Sequence, residues 1–226
     1  MFLFIKPKLF YATPFLARVS IGFVLAAVFC YFFVDFPLIE EIAPYRKIFR
    51  TPLKLASFLI FPPLYLFIGA GAFIWARFLC KNKQWTLPSF EMITAQALSV
   101  AFVRVFKVII GRARPESFLS RDLIGFEFFS SSHHFHSLPS GHTMAAFTLA
   151  ASIALLFPRF RYLSLTLAFL FSLSRIYLLD HFPSDLFATG AIGIFIAQMV
   201  HIVLQKITDR NHERQFNGKT FAPRNS

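Results

Sequence analysis

Six apolar runs, each roughly as long as a helix must be to cross a hydrocarbon core, constrain this chain more than anything else in it. They cover residues 16–34, 55–75, 90–110, 143–157, 162–179 and 186–205. The 226 residues are 56% hydrophobic and include 33 phenylalanines. Soluble domains are less apolar than this, so the expected class is an all-α polytopic membrane protein with six transmembrane helices in one bundle. The fourth run is short and spans only if its helix starts at the 139–142 corner. Pro62 and Pro63 should kink the second. The first is too long for the apolar core of a signal peptide and lacks a small-residue cleavage site, so it is read as a mature helix.

Charge sets the orientation. With six spans, both termini and the 2–3 and 4–5 loops share a side that carries 13 of the 23 Lys and Arg residues. The opposite side holds most of the acids. The positive-inside rule then places both termini in the cytoplasm. The formal charge of +12 calls for anionic lipid headgroups and no nucleic acid. Cys30 and Cys80 fall toward opposite membrane faces, so neither a disulfide nor a cysteine metal site is expected. Without repeats or linkers, residues 1–208 read as one domain, followed by a flexible cytoplasmic tail, 209–226. Oligomeric state is not legible.

Three polar clusters interrupt the apolar pattern, all on the non-cytoplasmic side. "KVIIGRARP" ends the third span with Lys107 and Arg114 seven residues apart. If the helix persists, that spacing is close to two turns and puts both cations on one face. "PSGH" opens the fourth span: Ser140 is a natural N-cap, and Gly141 lets a ligand approach the backbone of a helix start, which favours anions. "SRIYLLDHFPSD" supplies Ser174 and Arg175, then His181, then Asp185. An aspartate four residues after a histidine can cap the helix or orient the imidazole. Three cations exceed what helix ends need and imply an anion with several oxygens. Arginine's planar fork suits a phosphoryl group.

At these residues the chain resembles the type 2 phosphatidic acid phosphatase (PAP2) superfamily. Its three-part pattern stands complete as Lys107 with Arg114-Pro115, Pro139-Ser140-Gly141-His142, and Ser174-Arg175 with His181 and Asp185. The match covers roughly residues 100 to 200. The resemblance implies a metal-independent, cofactor-free lipid phosphatase acting through a phosphohistidine intermediate. By similarity His181 is the nucleophile, Asp185 holds its imidazole, and His142 is the general acid and base. Lys107, Arg114, Ser140, Gly141 and Arg175 would bind the phosphoryl oxygens. The substrate would be a phosphate monoester or terminal pyrophosphate on a membrane lipid. Undecaprenyl pyrophosphate, phosphatidylglycerol phosphate, phosphatidic acid and lipid A phosphates are the candidates. By analogy with bacterial members, the site would face the periplasm from an inner membrane. Two rivals are a lipid-to-lipid phosphotransferase using the same residues and a non-catalytic lipid or anion carrier.

Other polar residues are given plainer roles. His133, His134 and His136 lack a carboxylate or cysteine at ligand spacing, so no metal site is expected. Residues 116–138 mix phenylalanines with charge, as an interfacial lid would, and offer Arg121 and His136 as candidate headgroup contacts. Arg112 should point away from the motif cations toward lipid headgroups. His201 is expected to be a polar residue packed in the bundle, since nothing pairs with it in sequence.

Overall fold

A computed structural model describes residues 6–48, 50–58, 62–81 and 83–220. Helix α1 (Lys6–Phe33) leads into the short α2 (Asp35–Ile42). Then come α3 (Arg50–Phe58), α4 (Pro62–Ile74), α5 (Lys83–Ile110), α6 (Pro115–Arg121), α7 (Gly141–Leu156), α8 (Arg161–Tyr177) and α9 (Pro183–Thr220). No strand occurs among the described residues, as lipid surroundings require of an open-ended chain, because a helix satisfies its backbone within itself. Leu25, Phe32, Phe67 and Leu79 lie exposed on the outer faces, where lipid tails would cover them.

Among the described residues, four helical stretches are long and apolar enough to cross a membrane: Thr13–Phe33, Pro62–Leu79, Gln84–Ile110 and Pro183–Asn211. The fourth and fifth expected spans fall on α7 and α8, which have only 16 and 17 residues. The second expected span falls on α3, which holds Leu55, and on α4 from Pro62. Residues 59–61, where the expected proline kink would join them, lie outside the described residues. The expected loose tail is likewise helical through Thr220, and residues 221–226 lie outside the described residues.

Helix α9 is the centre of the bundle, packed against α1, α5 and α7, with α8 against the far side of α7. Helix α7 turns Ala145, Ala146, Ala150, Ala151 and Ala154 inward. Small side chains let membrane helices approach closely. Gly193 of α9 shows how closely, since a Cβ there would come within 3.1 Å of the Met144 carbonyl and the Thr148 hydroxyl. Phe147 meets Phe23 of α1 edge-on at 5.1 Å. Polar side chains in the same seam pair with one another. Ser99 and Thr148 share a 2.7 Å hydrogen bond, and Gln96 donates to the Ala145 carbonyl at 3.0 Å. His201 packs in the bundle as expected and has a partner the sequence did not reveal: its Nδ1 lies 2.7 Å from Glu91 Oε1, both side chains buried.

Candidate active site

The end of α5, the starts of α7 and α9 and the end of α8 bring the three sequence clusters together. Their arrangement begins at Gly111, where α5 stops. Gly111 has φ +55°, and a Cβ built on it would collide with the Glu127 carbonyl, so only glycine fits this corner. Residues 112–114 then leave the helix and hydrogen-bond to the 125–137 stretch, part of the segment expected to form a lid. Glu127 N donates to Gly111 O at 2.7 Å, Ala113 N to Gly125 O at 3.0 Å, Arg114 N to His134 O at 2.9 Å, and Ser137 N to Arg112 O at 3.0 Å.

Because the helix ends before Arg112, a helical phase does not apply to it. Arg112 is 5% exposed and points into the protein. One terminal nitrogen donates to Asp185 Oδ1 and, at 2.7 Å, to Ser184 Oγ. The other donates to Asp35 Oδ2 at 2.6 Å. Its guanidinium also lies 4.6 Å from the centroid of Phe182 and 5.1 Å from that of Tyr31. Burial opposes the Arg112 charge, but Asp185 and Asp35 more than offset this and hold it protonated. Asp35, at the head of α2, also accepts from Ser184 N at 2.9 Å.

His181 is 3% exposed, and its Nδ1 lies 2.5 Å from the Ser137 carbonyl oxygen. A carbonyl only accepts, so Nδ1 carries the hydrogen and Nε2 keeps its lone pair. This corrects the expectation that Asp185 holds the ring directly. Asp185 is instead the third residue of α9, and its Oδ2 accepts from Phe182 N at 2.9 Å, just before the helix, as a capping carboxylate does. The same oxygen accepts from Ser137 Oγ at 2.5 Å. Asp185 thus fixes Ser137, and Ser137 fixes His181. Burial first, and then the charges of Lys107, Arg114 and Arg175, keep His181 neutral well below the usual imidazole range.

Those same three cations form one wall. Burial first, and then the charges of Arg175 and Lys107, push His142, in the first turn of α7, down to about 3, so it takes up a proton only when an anion offsets those cations. Ser140 caps that helix: its hydroxyl oxygen accepts from Thr143 N at 3.4 Å, and its amide donates to Thr189 Oγ1 at 3.0 Å. A Cβ on Gly141 would rest 3.7 Å from Val103, an ordinary contact. Packing does not demand glycine there, and its bare backbone leaves the helix start approachable. Asp180 faces the wall, with Oδ2 2.6 Å from Arg175 Nη2 and Oδ1 3.5 Å from Arg114 Nη1.

Residues 88–209, more than half of the chain, match the family defined as the PAP2 superfamily. The chain belongs to the PAP2 superfamily. Two curated relatives are similar to it over about half of its length. The lipid A 1-phosphatase of Rhizobium etli is 34% identical over 112 residues, 50% of this chain and 48% of that protein. The lipid A 1-phosphatase of Rhizobium johnstonii is 35% identical over 102 residues, 45% of this chain and 42% of that protein. The chain therefore spans less than half the length of the curated relatives it matches. The crystal structure of a transmembrane PAP2 type phosphatidylglycerolphosphate phosphatase from Bacillus subtilis superposes with a TM-score of 0.55 at 22% identity. That match covers 85% of this chain and 96% of the other, and at this identity it is a likeness of fold.

Beside this PAP2 site lies a cavity of about 420 Å³ lined by Arg46, Arg114, Glu116, Ser120, Arg121 and His134, among others. Of the two candidate headgroup contacts, Arg121 lines it. His136 does not: its Nε2 lies 3.1 Å from the Ser130 carbonyl, within the lid. His134 is placed there by a 3.1 Å contact between its Nδ1 and Ser117 Oγ, and Arg46 by an ion pair with Glu116 at 2.8 Å. Sequence reading missed Arg46, which belongs to the turn after α2 and carries no motif. It missed Asp35 for the same reason. The lid's outer edge exposes Ile124, Phe128 and Phe129.

Proposed function

We propose that this chain is a lipid phosphatase that hydrolyses a phosphate monoester or terminal pyrophosphate at the end of a membrane lipid. The observation that carries the reading is His181. Its Nδ1 is spent on the Ser137 carbonyl, so the lone pair on Nε2 is left for phosphorus beneath three cations. Nε2 attacks, the bond from phosphorus to the lipid oxygen breaks, and His142 gives that oxygen a proton. Water then attacks the phosphohistidine, His142 takes its proton, the P–N bond breaks, and inorganic phosphate leaves. Lys107, Arg114, Arg175, the Ser140 hydroxyl and the Gly141 amide stabilise charge on the phosphoryl oxygens.

The 420 Å³ cavity is large enough for a sizeable headgroup, and its mixture of guanidinium, carboxylate and hydroxyl groups favours one rich in hydroxyls. Together with the similarity to lipid A 1-phosphatases, this puts a phosphorylated saccharide lipid first among the candidate substrates. We place six spans in a bacterial inner membrane, with both termini cytoplasmic and the site on the periplasmic side. The test is phosphate release by detergent-purified protein from the four candidate lipids, in EDTA, with His181→Ala alongside. Turnover of at least one lipid by wild type and none by His181→Ala is expected. Complete loss in EDTA, restored by Mg²⁺, would contradict the mechanism. Label appearing on a second lipid in place of free phosphate would make the protein a phosphotransferase.

A further inference from the structure

The cation wall comes with an anion of its own. Asp180 forms ion pairs with Arg175 at 2.6 Å and Arg114 at 3.5 Å, and its charge acts on Lys107 as well. The neighbouring acids are spent elsewhere: Glu116 on Arg46, Asp35 and Asp185 on Arg112. Asp180 is the residue before His181, at a position the family pattern leaves open. Its backbone is anchored, with its N–H donating to Arg175 O at 3.1 Å and the preceding Leu179 carbonyl accepting from Glu116 N at 3.1 Å. Its side chain is 21% exposed and has a way out to solvent.

A carboxylate in this place has one of two consequences, and they differ in sign. A strut aims the two guanidiniums, and removing it weakens anion binding. A competitor occupies donors that phosphoryl oxygens would use, and removing it strengthens anion binding. The unequal distances favour the second. Arg175 is held tightly and Arg114 loosely, so a strut would aim only one of the two forks. Charge agrees: three cations and one carboxylate sum to 3 − 1 = +2, which neutralises a phosphate dianion without excess, whereas +3 would retain the product.

We propose that Asp180 is the resident anion of the phosphate cradle. It yields Arg114 and Arg175 to the incoming phosphoryl group and reclaims them as inorganic phosphate departs. This rests on the reading of the cations as a phosphoryl cradle. Asp180→Asn keeps the shape and an accepting oxygen but drops the charge, and Asp180→Glu restores the charge.

The experiment measures equilibrium binding of orthophosphate and of vanadate to full-length protein in detergent, and then steady-state kinetics. Asp180→Asn should bind both anions about tenfold more tightly, lower kcat and leave kcat/KM nearly unchanged, with Asp180→Glu close to wild type. Unchanged or weaker anion binding in Asp180→Asn would overturn the proposal. So would a variant that no longer folds, since that would assign Asp180 to the scaffold. Binding needs no turnover, so the two readings fail separately. Tighter phosphate binding by a protein that hydrolyses no lipid would sink the hydrolase and leave the resident anion standing.

Discussion

Arg112 is the residue on which the site's internal order depends. It joins Asp185 to Asp35 while Asp185 secures Ser137, and the Ser137 carbonyl sets the tautomer of His181. Arg112→Lys keeps the charge but loses the fork that reaches two carboxylates at once. kcat should drop about 10²-fold with KM little altered, because the proposed nucleophile is displaced while the cations proposed to bind phosphate are untouched. Steady-state kinetics on the favoured lipid would show it, and a rise in KM with kcat intact would refute it. Arg112→Leu should be worse, leaving two buried carboxylates unpaired and costing about 3–5 kcal/mol of stability.

At the scale of elements, the corner at Gly111 decides how the lid meets the bundle. Gly111→Ala should cost at least about 1–2 kcal/mol for the left-handed backbone alone, with the collision against Glu127 added to it. The lid would then come loose, so chymotrypsin should cut faster beside the exposed Phe128 and Phe129 in the variant. Equal cutting rates would show that the corner does not hold the lid.

This corner also explains what sequence could and could not reveal. That Lys107, Arg114, His142, Arg175 and His181 lie together was legible from three motifs of fixed spacing. Arg112 was misplaced because a helical phase was carried past Ile110, where the helix ends. Asp185 was read correctly as a cap but wrongly as the direct partner of His181, since sequence proximity says nothing of a carbonyl from another loop. Asp35 was illegible: a single acid after an apolar run has no local sign of an arginine 77 residues away.

For the whole molecule, the bundle is also tied at the end away from the site, by Glu91 and His201. Glu91 lies sixteen residues before Lys107 on α5, about 24 Å along the helix. His201→Ala should lose about 1–3 kcal/mol of stability by leaving the buried Glu91 side chain without its hydrogen-bond partner, while turnover per folded molecule stays at the wild-type value. Replacing both partners with leucine should recover much of that loss. Thermal unfolding in detergent checks the first part and kinetics the second. A fall in turnover as large as the fall in stability would mean that the two ends of the bundle are coupled.

The bond from Ser184 to Asp35 bridges 149 residues of chain. During synthesis, the helix that ends just before Asp35 enters the bilayer long before α9 exists, so the buried aspartate has to wait for its arginine and then for its serine. Until the last helix is inserted, His181 has no completed neighbourhood. On the proposed mechanism, a chain that lacks α9 lacks the nucleophile's surroundings, so activity should appear only once the last helix is in place.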